Sequence, residues 1–125
     1  MSDSALFSVK KFRVKLYPRD FKKVRAFYEE QLHFQVTHEW DRDENDKGVM
    51  FDVGGTTLEL LSPEHAYEPI TGCALSLEVS DVRKLHETLK DTGCVVRGLK
   101  DNSWGDTSFR ISDPEGFNIS FFAKH

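Results

Sequence analysis

The sequence predicts an α+β domain made of two copies of one module, because its second half repeats the apolar pattern and a helix-cap position of the first. Two apolar strand residues and an aspartate recur at an offset of 61: Val14, Leu16 and Asp20 align with Leu75, Leu77 and Asp81. The same offset aligns 58–61 with 119–122, and 51–53 align with 109–111 if the second copy has a turn three residues longer. A period of this length is too long for a solenoid repeat and is typical of a duplicated unit of a strand, a helix and three strands.

Length and composition indicate one domain of an ordinary type. The 125 residues are enough for a real core, and the formal net charge of −4 argues against a nucleic-acid partner, which usually brings a basic face. No apolar run approaches the roughly 20 residues that cross a bilayer, and residues 1–5 show no signal-peptide pattern. Cys73 and Cys94 are expected to be small buried residues. We therefore expect a cytoplasmic protein without a membrane or nucleic-acid partner.

The first module, about residues 10–62, is predicted from strand alternation on either side of a helical apolar stripe. Asp20 is expected to cap the helix. The stripe consists of residues at helical spacing: Phe21, Val24, Phe27, Tyr28 and Leu32. The expected strands are 12–17, 34–40, 49–53 and 57–61, with a solvated loop at 41–48 and a turn at Gly54-Gly55.

The second module, about residues 73–123, follows a linker at about 63–72 that contains two prolines and little periodicity. Asp81 is expected to cap a helix with Val82, Leu85 and Leu89 on its buried stripe, and Gly93 to end it. The expected strands are 73–79, a short one beginning at 95–96, then 108–111 and 118–122, with a turn at 113–116. Both modules together form a single domain, 1–125.

Several short motifs occur in a distinctive order, and the motifs that contain Asp20 and Asp81 occupy equivalent positions in the two copies. They are Asp20…Phe27-Tyr28…Leu32-His33-Phe34, then Thr57-Leu58-Glu59-Leu60, Val79-Ser80-Asp81-Val82, and Phe109 to Phe122 with its Asp-Pro-Glu-Gly turn. In this order the chain resembles the vicinal oxygen chelate superfamily, which includes glyoxalase I, bleomycin-resistance proteins, fosfomycin-resistance enzymes and extradiol dioxygenases. The resemblance covers residues 10–123. It implies two βαβββ modules whose mixed sheet curls around a central cleft.

The resemblance also implies four metal-ligand positions, one in the first and one in the last strand of each module. In this chain they fall on Arg13, Glu59, Ala74 and Ser120. Only Glu59 is a good ligand, because Arg13 has no lone pair, Ala74 has no donor and a lone hydroxyl is weak. A divalent ion needs several converging donors. We therefore expect no metal and no other cofactor.

The histidines do not replace the missing ligands. His33, His38, His65, His86 and His125 show no spacing of the His-x-x-x-His kind. We expect packing or surface roles for them, although His38 lines the cleft if its strand points that way.

If the apolar strand residues pack on the helices, the alternate residues face the cleft. The candidate ligand-binding residues are then Arg13, Lys15, Tyr17, Asp52, Glu59, Glu78, Arg110, Ser120 and Phe122. Their charges are balanced. Arg13 and Glu59 lie on strands expected to be neighbours and are expected to contact each other, either as a structural ion pair or as part of ligand recognition.

Trp104-Gly105 is similar to a Trp-Gly pair in metal-free bleomycin-resistance proteins, the subgroup this chain most resembles. There the aromatic ring helps to form a drug-binding groove between two subunits. The resemblance implies a homodimer whose cleft is completed near Trp104, where an indole can stack on a planar ligand. The alternative is a tryptophan that only packs at the start of a strand.

Three functions from different classes are consistent with these residues. The first is a metal-free protein that binds a small molecule, an antibiotic or a planar metabolite, and acts by sequestration without catalysis. The second is a lyase, isomerase or dioxygenase with an atypical metal site or metal-independent acid–base chemistry, for which Glu59, Tyr17 and His38 are the candidate catalytic residues. The third is a non-enzymatic regulatory or structural partner. We favour the first.

Overall fold

The computed structural model describes residues 6–62 and 67–125. The chain divides into two compact units between Tyr67 and Glu68. Each unit has one four-stranded mixed sheet and one helical segment, in the order strand, helix, three strands. The predicted α+β class with two βαβββ modules is therefore confirmed. Among the described residues, no helix is long and apolar enough to span a membrane.

Module one has its sheet in the order β1-β4-β3-β2, with β1 parallel to β4 and the other pairs antiparallel. Helix α1 continues directly into a π-helical segment, which carries the buried Phe27 and Tyr28. The elements are β1 Arg13–Leu16, α1 Phe21–Ala26, the π-helical segment Phe27–Gln31, β2 Gln35–Asp43, β3 Asp46–Val53 and β4 Thr56–Leu61.

Module two repeats this arrangement, with its sheet in the order β5-β8-β7-β6 and β5 parallel to β8. The elements are β5 Ala74–Glu78, α2 Val82–Leu89, β6 Val95–Asn102, β7 Asp106–Ser112 and β8 Asn118–Lys124. Of the predicted linker, residues 67–72 form no helix or strand, and 63–66, with His65, lie outside the described residues. The same holds for residues 1–5.

Each sheet buries one face against the helix of its own module. In module one, Phe51 is fully buried and lies 6.2 Å from Tyr28, ring centre to ring centre, while Tyr28 stacks on Phe34 at 5.8 Å. In module two, Phe109 is fully buried beside Phe121, at 5.3 Å. Aromatic side chains bury the most apolar area per residue, so these clusters fix which face of each sheet points inward. The opposite face, which we call the open face, carries the alternate residues.

The helix starts were predicted correctly. The carboxylates of Asp20 and Asp81 each accept a hydrogen bond from the backbone three residues on, at 3.1 and 3.0 Å. These bonds satisfy otherwise unpaired amides of the first turn. After each helix the chain adopts a left-handed conformation two residues before the next strand, at His33 (φ 59°) and at Gly93 (φ 86°). Glycine takes this conformation without steric cost, whereas histidine has a Cβ atom and takes it at a steric cost.

The loop predicted at 41–48 is wrong. Strands β2 and β3 run through it and turn only at Glu44-Asn45. The charged residues of this segment pair across the hairpin instead of facing solvent alone, as Arg42 does with Asp46 at 3.0 Å. Strand pairing continues because Trp40 lies directly opposite Gly48, which leaves room for the indole ring.

Two expectations about module two are also corrected. The short strand at 95–96 continues to Asn102, as an eight-residue strand. Phe51 does not correspond to Phe109 in the sheet register: Phe51 pairs with Leu58, whereas Phe109 pairs with Phe121, the equivalent of Leu60. The reason is that the 113–117 turn is closed by a bond from Asp113 N to Phe117 O, which makes the second turn longer by one residue rather than three.

Strands β2 and β6 lie at one edge of their sheets, and both are irregular there. The register shifts between Val36 and His38, and again between Val95 and Arg97. These β-bulges interrupt the even row of backbone donors and acceptors along each edge strand. Cys94 is buried as expected, but Cys73, directly before β5, is exposed, so the expectation of a buried residue is wrong there.

Candidate functional site

On the open face of module one, Glu59 is a buried carboxylate. Its side chain is 5% exposed, and its Oε1 atom has no hydrogen-bond partner among the described residues. The Nη1 atom of Arg13 lies 3.9 Å from that oxygen, so the expected contact forms as an ion pair but is too long for a hydrogen bond. Arg13 is 42% exposed, so solvent screens its charge more than that of Glu59.

The other predicted cleft residues of module one are exposed. Lys15 and Asp52 lie on β1 and β3, and Tyr17 is 40% exposed just beyond β1. A cavity of module one lies further along the β2–β3 hairpin, has a volume of about 410 Å³ and includes His38. It is lined by His38, Trp40, Arg42, Asn45, Asp46, Lys47, Met50, Leu61 and Ser62, which we call the module-one pocket.

Charges in the module-one pocket are paired within the hairpin. Arg42 contacts Asp46 at 3.0 Å and Lys47 contacts Glu44 at 3.3 Å. The indole Nε1 of Trp40 also donates to Asp46, at 3.2 Å. The ring lies over Gly48, where a Cβ atom would meet it at 2.3 Å. The ring therefore fills the floor of the hairpin.

Module two has a cavity of about 430 Å³ on its own open face. It is lined by Ser76, Arg97, Lys100, Asn102, Trp104, Asp106, Ser108, Arg110, Ser120 and Phe122, which we call the module-two pocket. Four of the sequence-predicted ligand residues thus lie around one pocket: Trp104, Arg110, Ser120 and Phe122. Glu78, opposite Phe122 on the edge strand β5, is exposed and lies outside the lining.

Hydrogen bonds hold the polar wall of this pocket in place. Ser108, 8% exposed, accepts from Arg97 Nη2 and from Asn102 Nδ2, both at 3.0 Å. Asn102 also donates to Asp106, at 2.7 Å. Arg110 Nε donates to Ser120 Oγ at 3.3 Å. The serine hydroxyl groups of the central strands β7 and β8 therefore hold the side chains of Arg97, Asn102 and Arg110 at the cavity.

Trp104 lies at the rim of the pocket, on the turn between β6 and β7. The residue is 74% exposed, and its Nε1 atom donates to Asp106 at 2.9 Å. Gly105 next to it has φ 104°, a conformation that glycine adopts without steric cost and that lets the turn close tightly. The indole is thus anchored at its polar atom while its ring stays accessible.

Sequence reasoning missed Arg97 and Lys100, which add two positive charges to the pocket. Both belong to the part of β6 that was not predicted as strand, so neither was assigned to a face. Together with Arg110 they give this pocket three cations against one lining carboxylate among the described residues, that of Asp106. The balanced charge expected for the cleft does not hold within module two.

The residues at the four metal positions do not fit a metal ion. In module one, the Arg13 cation lies beside Glu59, the single carboxylate of the set. In module two, Ala74 offers no donor, and the hydroxyl of Ser120 already accepts from Arg110. Within 6–62 and 67–125, no group of three or more His, Cys, Asp or Glu side chains is placed to hold a metal.

The glyoxalase/bleomycin resistance protein/dioxygenase superfamily model matches residues 12–121. The chain belongs to this superfamily. Solved structures of the superfamily have the same fold. A superfamily member from Sphaerobacter thermophilus is 21% identical with TM-score 0.75, covering 94% of this chain and 98% of its own. Lactoylglutathione lyase from Agrobacterium tumefaciens is 17% identical with TM-score 0.69, covering 90% and 91%.

A third relative, a glyoxalase/bleomycin resistance protein/dioxygenase from Nocardioides, is 17% identical with TM-score 0.73, covering 96% of this chain and 86% of its own. At these identities the likeness concerns the fold. No curated protein matches the sequence significantly. The function of this superfamily member must therefore be argued from its own residues.

Proposed function

We propose that the protein is a metal-free binding protein that sequesters a planar small molecule, an antibiotic or a metabolite, in the module-two pocket. The observation that carries this proposal is the accessible indole of Trp104 at the rim of a cavity of about 430 Å³. Cavities of this size suit small organic ligands, and aromatic rings supply flat apolar area for stacking. Phe122 adds a second ring to the lining.

The metal-free part of the proposal is supported by the chemistry of the four candidate ligand positions. Arg13, Ala74 and Ser120 occupy three of them, and none of these offers a donor comparable to an imidazole or a carboxylate. Binding by stacking and hydrogen bonding needs no metal. The proposal also includes a cytoplasmic location, which suits two free cysteines.

We further propose a homodimer in which the second subunit covers the rim at Trp104. An indole that is 74% exposed is unusual on a surface with no partner, and a second chain would enclose the ligand more fully. The symmetric association of two identical subunits is the commonest form of oligomer. Sedimentation at micromolar concentration should give about twice the 14.4 kDa chain mass, and a species of 14.4 kDa would contradict the dimer.

The function is tested by screening planar antibiotics and metabolites for thermal stabilisation of the untreated protein. We expect ligands that raise the melting temperature of the parent protein but act more weakly on Trp104→Ala, because this change removes the stacking surface and leaves the core intact. Trp40→Phe in module one is the matched control and should keep the response. Elemental analysis in parallel should find no stoichiometric metal; about one Zn, Ni, Fe or Mn per chain, removable by chelator with loss of activity, would contradict the proposal.

A second candidate function is metal-independent acid–base catalysis on the open face of module one. The observation that favours it is the buried Glu59 oxygen, which has no hydrogen-bond partner in the described parts of the chain and so has a free lone pair for a proton. His38 lies in the same cross-strand row, separated from Glu59 by Met50. Turnover of any substrate that is abolished by Glu59→Gln but retained by Trp104→Ala would favour this function over sequestration.

A further inference from the structure

We propose that the module-two pocket selects organic anions that carry a flat aromatic body. Arg97, Lys100 and Arg110 would hold the anionic group, and Trp104 would stack on the ring. This inference rests on the proposed small-molecule binding and adds the charge class of the ligand.

The charge of the pocket is opposite to that of the chain. Over the whole sequence, 21 acidic residues outnumber 17 Lys and Arg. Around this cavity the described residues provide three cations and one carboxylate. A local excess of positive charge in an acidic protein attracts an anion to that site, whereas the rest of the surface repels it.

Within the described part of the chain, the three cations have no ionic partner. Among the described residues, no carboxylate lies within ion-pair distance of Arg97, Lys100 or Arg110. Arg97 and Arg110 are half-buried, which reduces their exposure to water. Cations that are partly desolvated and lack a counter-charge gain more from binding an anion than fully solvated ones do.

Each of the two arginine side chains is held by a serine and still has N–H donors available for a ligand. Arg110 donates its Nε to Ser120 at 3.3 Å, and Arg97 donates its Nη2 to Ser108 at 3.0 Å. Because a guanidinium group has five N–H donors in a fixed plane, each still has donors for a carboxylate or a phosphate. The serines thus act as supports that orient the arginines without neutralising them.

Asp106, the single carboxylate of the lining, is already engaged. It accepts from Asn102 at 2.7 Å and from the indole of Trp104 at 2.9 Å. The second bond occupies the only polar atom of the indole, so what Trp104 offers to a ligand is the face of its ring. A ligand with a flat apolar body and an anionic group therefore matches both parts of the pocket.

The module-one pocket provides an internal comparison. Its two cations, Arg42 and Lys47, contact carboxylates at 3.0 and 3.3 Å, and its tryptophan covers Gly48. Both of these cations already have a carboxylate partner, so we expect anion selectivity in module two alone.

The test compares 2-naphthoate with its neutral isostere 2-naphthamide by isothermal titration calorimetry on the full-length protein. We expect naphthoate to bind about tenfold or more tightly than the amide, as charge-assisted hydrogen bonds require. Added salt should weaken naphthoate but not the amide. 2-Naphthyl phosphate tests whether the anionic group of the ligand is a carboxylate or a phosphate. If it binds more tightly than naphthoate, the ligand is assigned a phosphate group.

Variants locate the binding. Arg110→Gln and Arg97→Gln should each weaken naphthoate about tenfold and leave the amide unchanged. Arg83→Gln removes the same charge from the helix of module two, where Arg83 pairs with Asp101, and should change neither affinity. Trp104→Ala should weaken both probes. Circular dichroism confirms that each variant is folded, and having two arginine variants keeps the test decisive if one does not fold.

Three results would overturn the inference. Equal affinities for naphthoate and naphthamide, both insensitive to Arg110→Gln, would show a pocket that binds rings without regard to charge, and the proposed sequestration would stand. Inorganic phosphate binding as tightly as naphthyl phosphate would remove the aromatic requirement. If none of the aromatic probes binds, the anion class is wrong, and the library screen then decides the proposed function by itself.

Discussion

The β2–β3 and β6–β7 hairpins each carry one tryptophan whose indole nitrogen donates to a nearby aspartate, yet the two rings are placed differently. Trp40 lies within β2 and covers Gly48, whereas Trp104 lies on the turn after β6 and is 74% exposed. The bonds to Asp46 and Asp106 measure 3.2 and 2.9 Å. The same anchor therefore serves to close one hairpin and to display a ring on the other.

The sheet registers show which residues make the difference. Gly48 pairs with Leu61, and Ser108 pairs with Phe122, which is the repeat equivalent of Leu61. Opposite Gly48 stands Trp40, and opposite Ser108 stands Lys100. A glycine under an indole in module one thus corresponds to a serine opposite a lysine in module two. The two modules thus share the architecture of their cores and differ in the side chains of their open faces.

The largest effect is expected at Gly48. A Cβ atom there would lie 2.3 Å from the Trp40 ring, so Gly48→Ala must displace the indole and its bond to Asp46. We expect a loss of about 1–2 kcal/mol in the free energy of unfolding, within the range for overpacked sites. Urea denaturation measures it, and Trp40 fluorescence should shift as the ring becomes exposed.

Gly98 in β6 is the matched control, because a Cβ atom there meets nothing within 4 Å and its backbone is not left-handed. Gly98→Ala should leave stability unchanged or raise it by about 0.5 kcal/mol, through the lower entropy of the unfolded chain. Equal stabilities for the two alanine variants would contradict the view that the indole fills one hairpin and not the other.

A smaller effect is expected from the ion pair of module one, which has no counterpart in module two. Arg13→Gln leaves the buried Glu59 without its cation and should lower the free energy of unfolding by about 1 kcal/mol, less than for a fully buried pair because Arg13 is 42% exposed. Glu59→Gln removes the buried charge itself and should cost about 0.5 kcal/mol or less.

The double variant Arg13→Gln/Glu59→Gln should recover most of the stability lost in Arg13→Gln, since no isolated charge remains buried. Thermal or urea denaturation at neutral pH measures all three. A greater loss for Glu59→Gln than for Arg13→Gln would show that the pair stabilises the fold in its own right, contrary to this expectation.

The smallest effect concerns Asp101, which lies in β6 and pairs with Arg83 of the helix of module two. The hydrogen bond from Thr107, at 2.6 Å, together with Arg83 and His125, lowers the pKa of this carboxyl below its ordinary value of 3.8. Because the folded-state pKa is lowered, the stabilisation is present above pH 3.8 and is lost as the pH falls through the lower folded-state pKa. Thr107→Val should therefore raise the pKa of Asp101 towards its ordinary value and reduce the change in stability with pH.

An NMR titration of the Asp101 carboxyl carbon measures the change, and Arg83→Gln should shift it less, because the Thr107 hydrogen bond is the larger cause. An unchanged Asp101 pKa in Thr107→Val would contradict the assignment. The side chain is exposed, so we expect only a small accompanying change in stability.

Local signals made the modules predictable. The caps Asp20 and Asp81 and the alternation around Leu58 and Ile119 depend on neighbouring residues only, and they placed both helices and the inward faces of the central strands. A role of Trp104 in a ligand groove was expected from the resemblance of Trp104-Gly105 to a pair in bleomycin-resistance proteins, with a packing tryptophan as the alternative. These features need no knowledge of which strands pair.

The missed features depend on contacts between strands. The charged segment 41–48 suggested a solvated loop, because the space under Trp40 that Gly48 provides appears only when the strands are paired. Arg97 and Lys100 were missed because bulges in β6 interrupt the alternation by which a strand is recognised. The charge of the module-two pocket, and hence its expected ligand class, was therefore not accessible from the sequence.

Those bulges have a consequence for the behaviour of the protein in concentrated solution. A fibril grows through a strand when an even row of amide donors and carbonyl acceptors accepts the next chain in register. In β2 the row is broken between Val36 and His38, and in β6 between Val95 and Arg97. Each of these two edge strands therefore offers a poor template for polymerisation, so the long strand β6 can border the module-two pocket without nucleating fibrils.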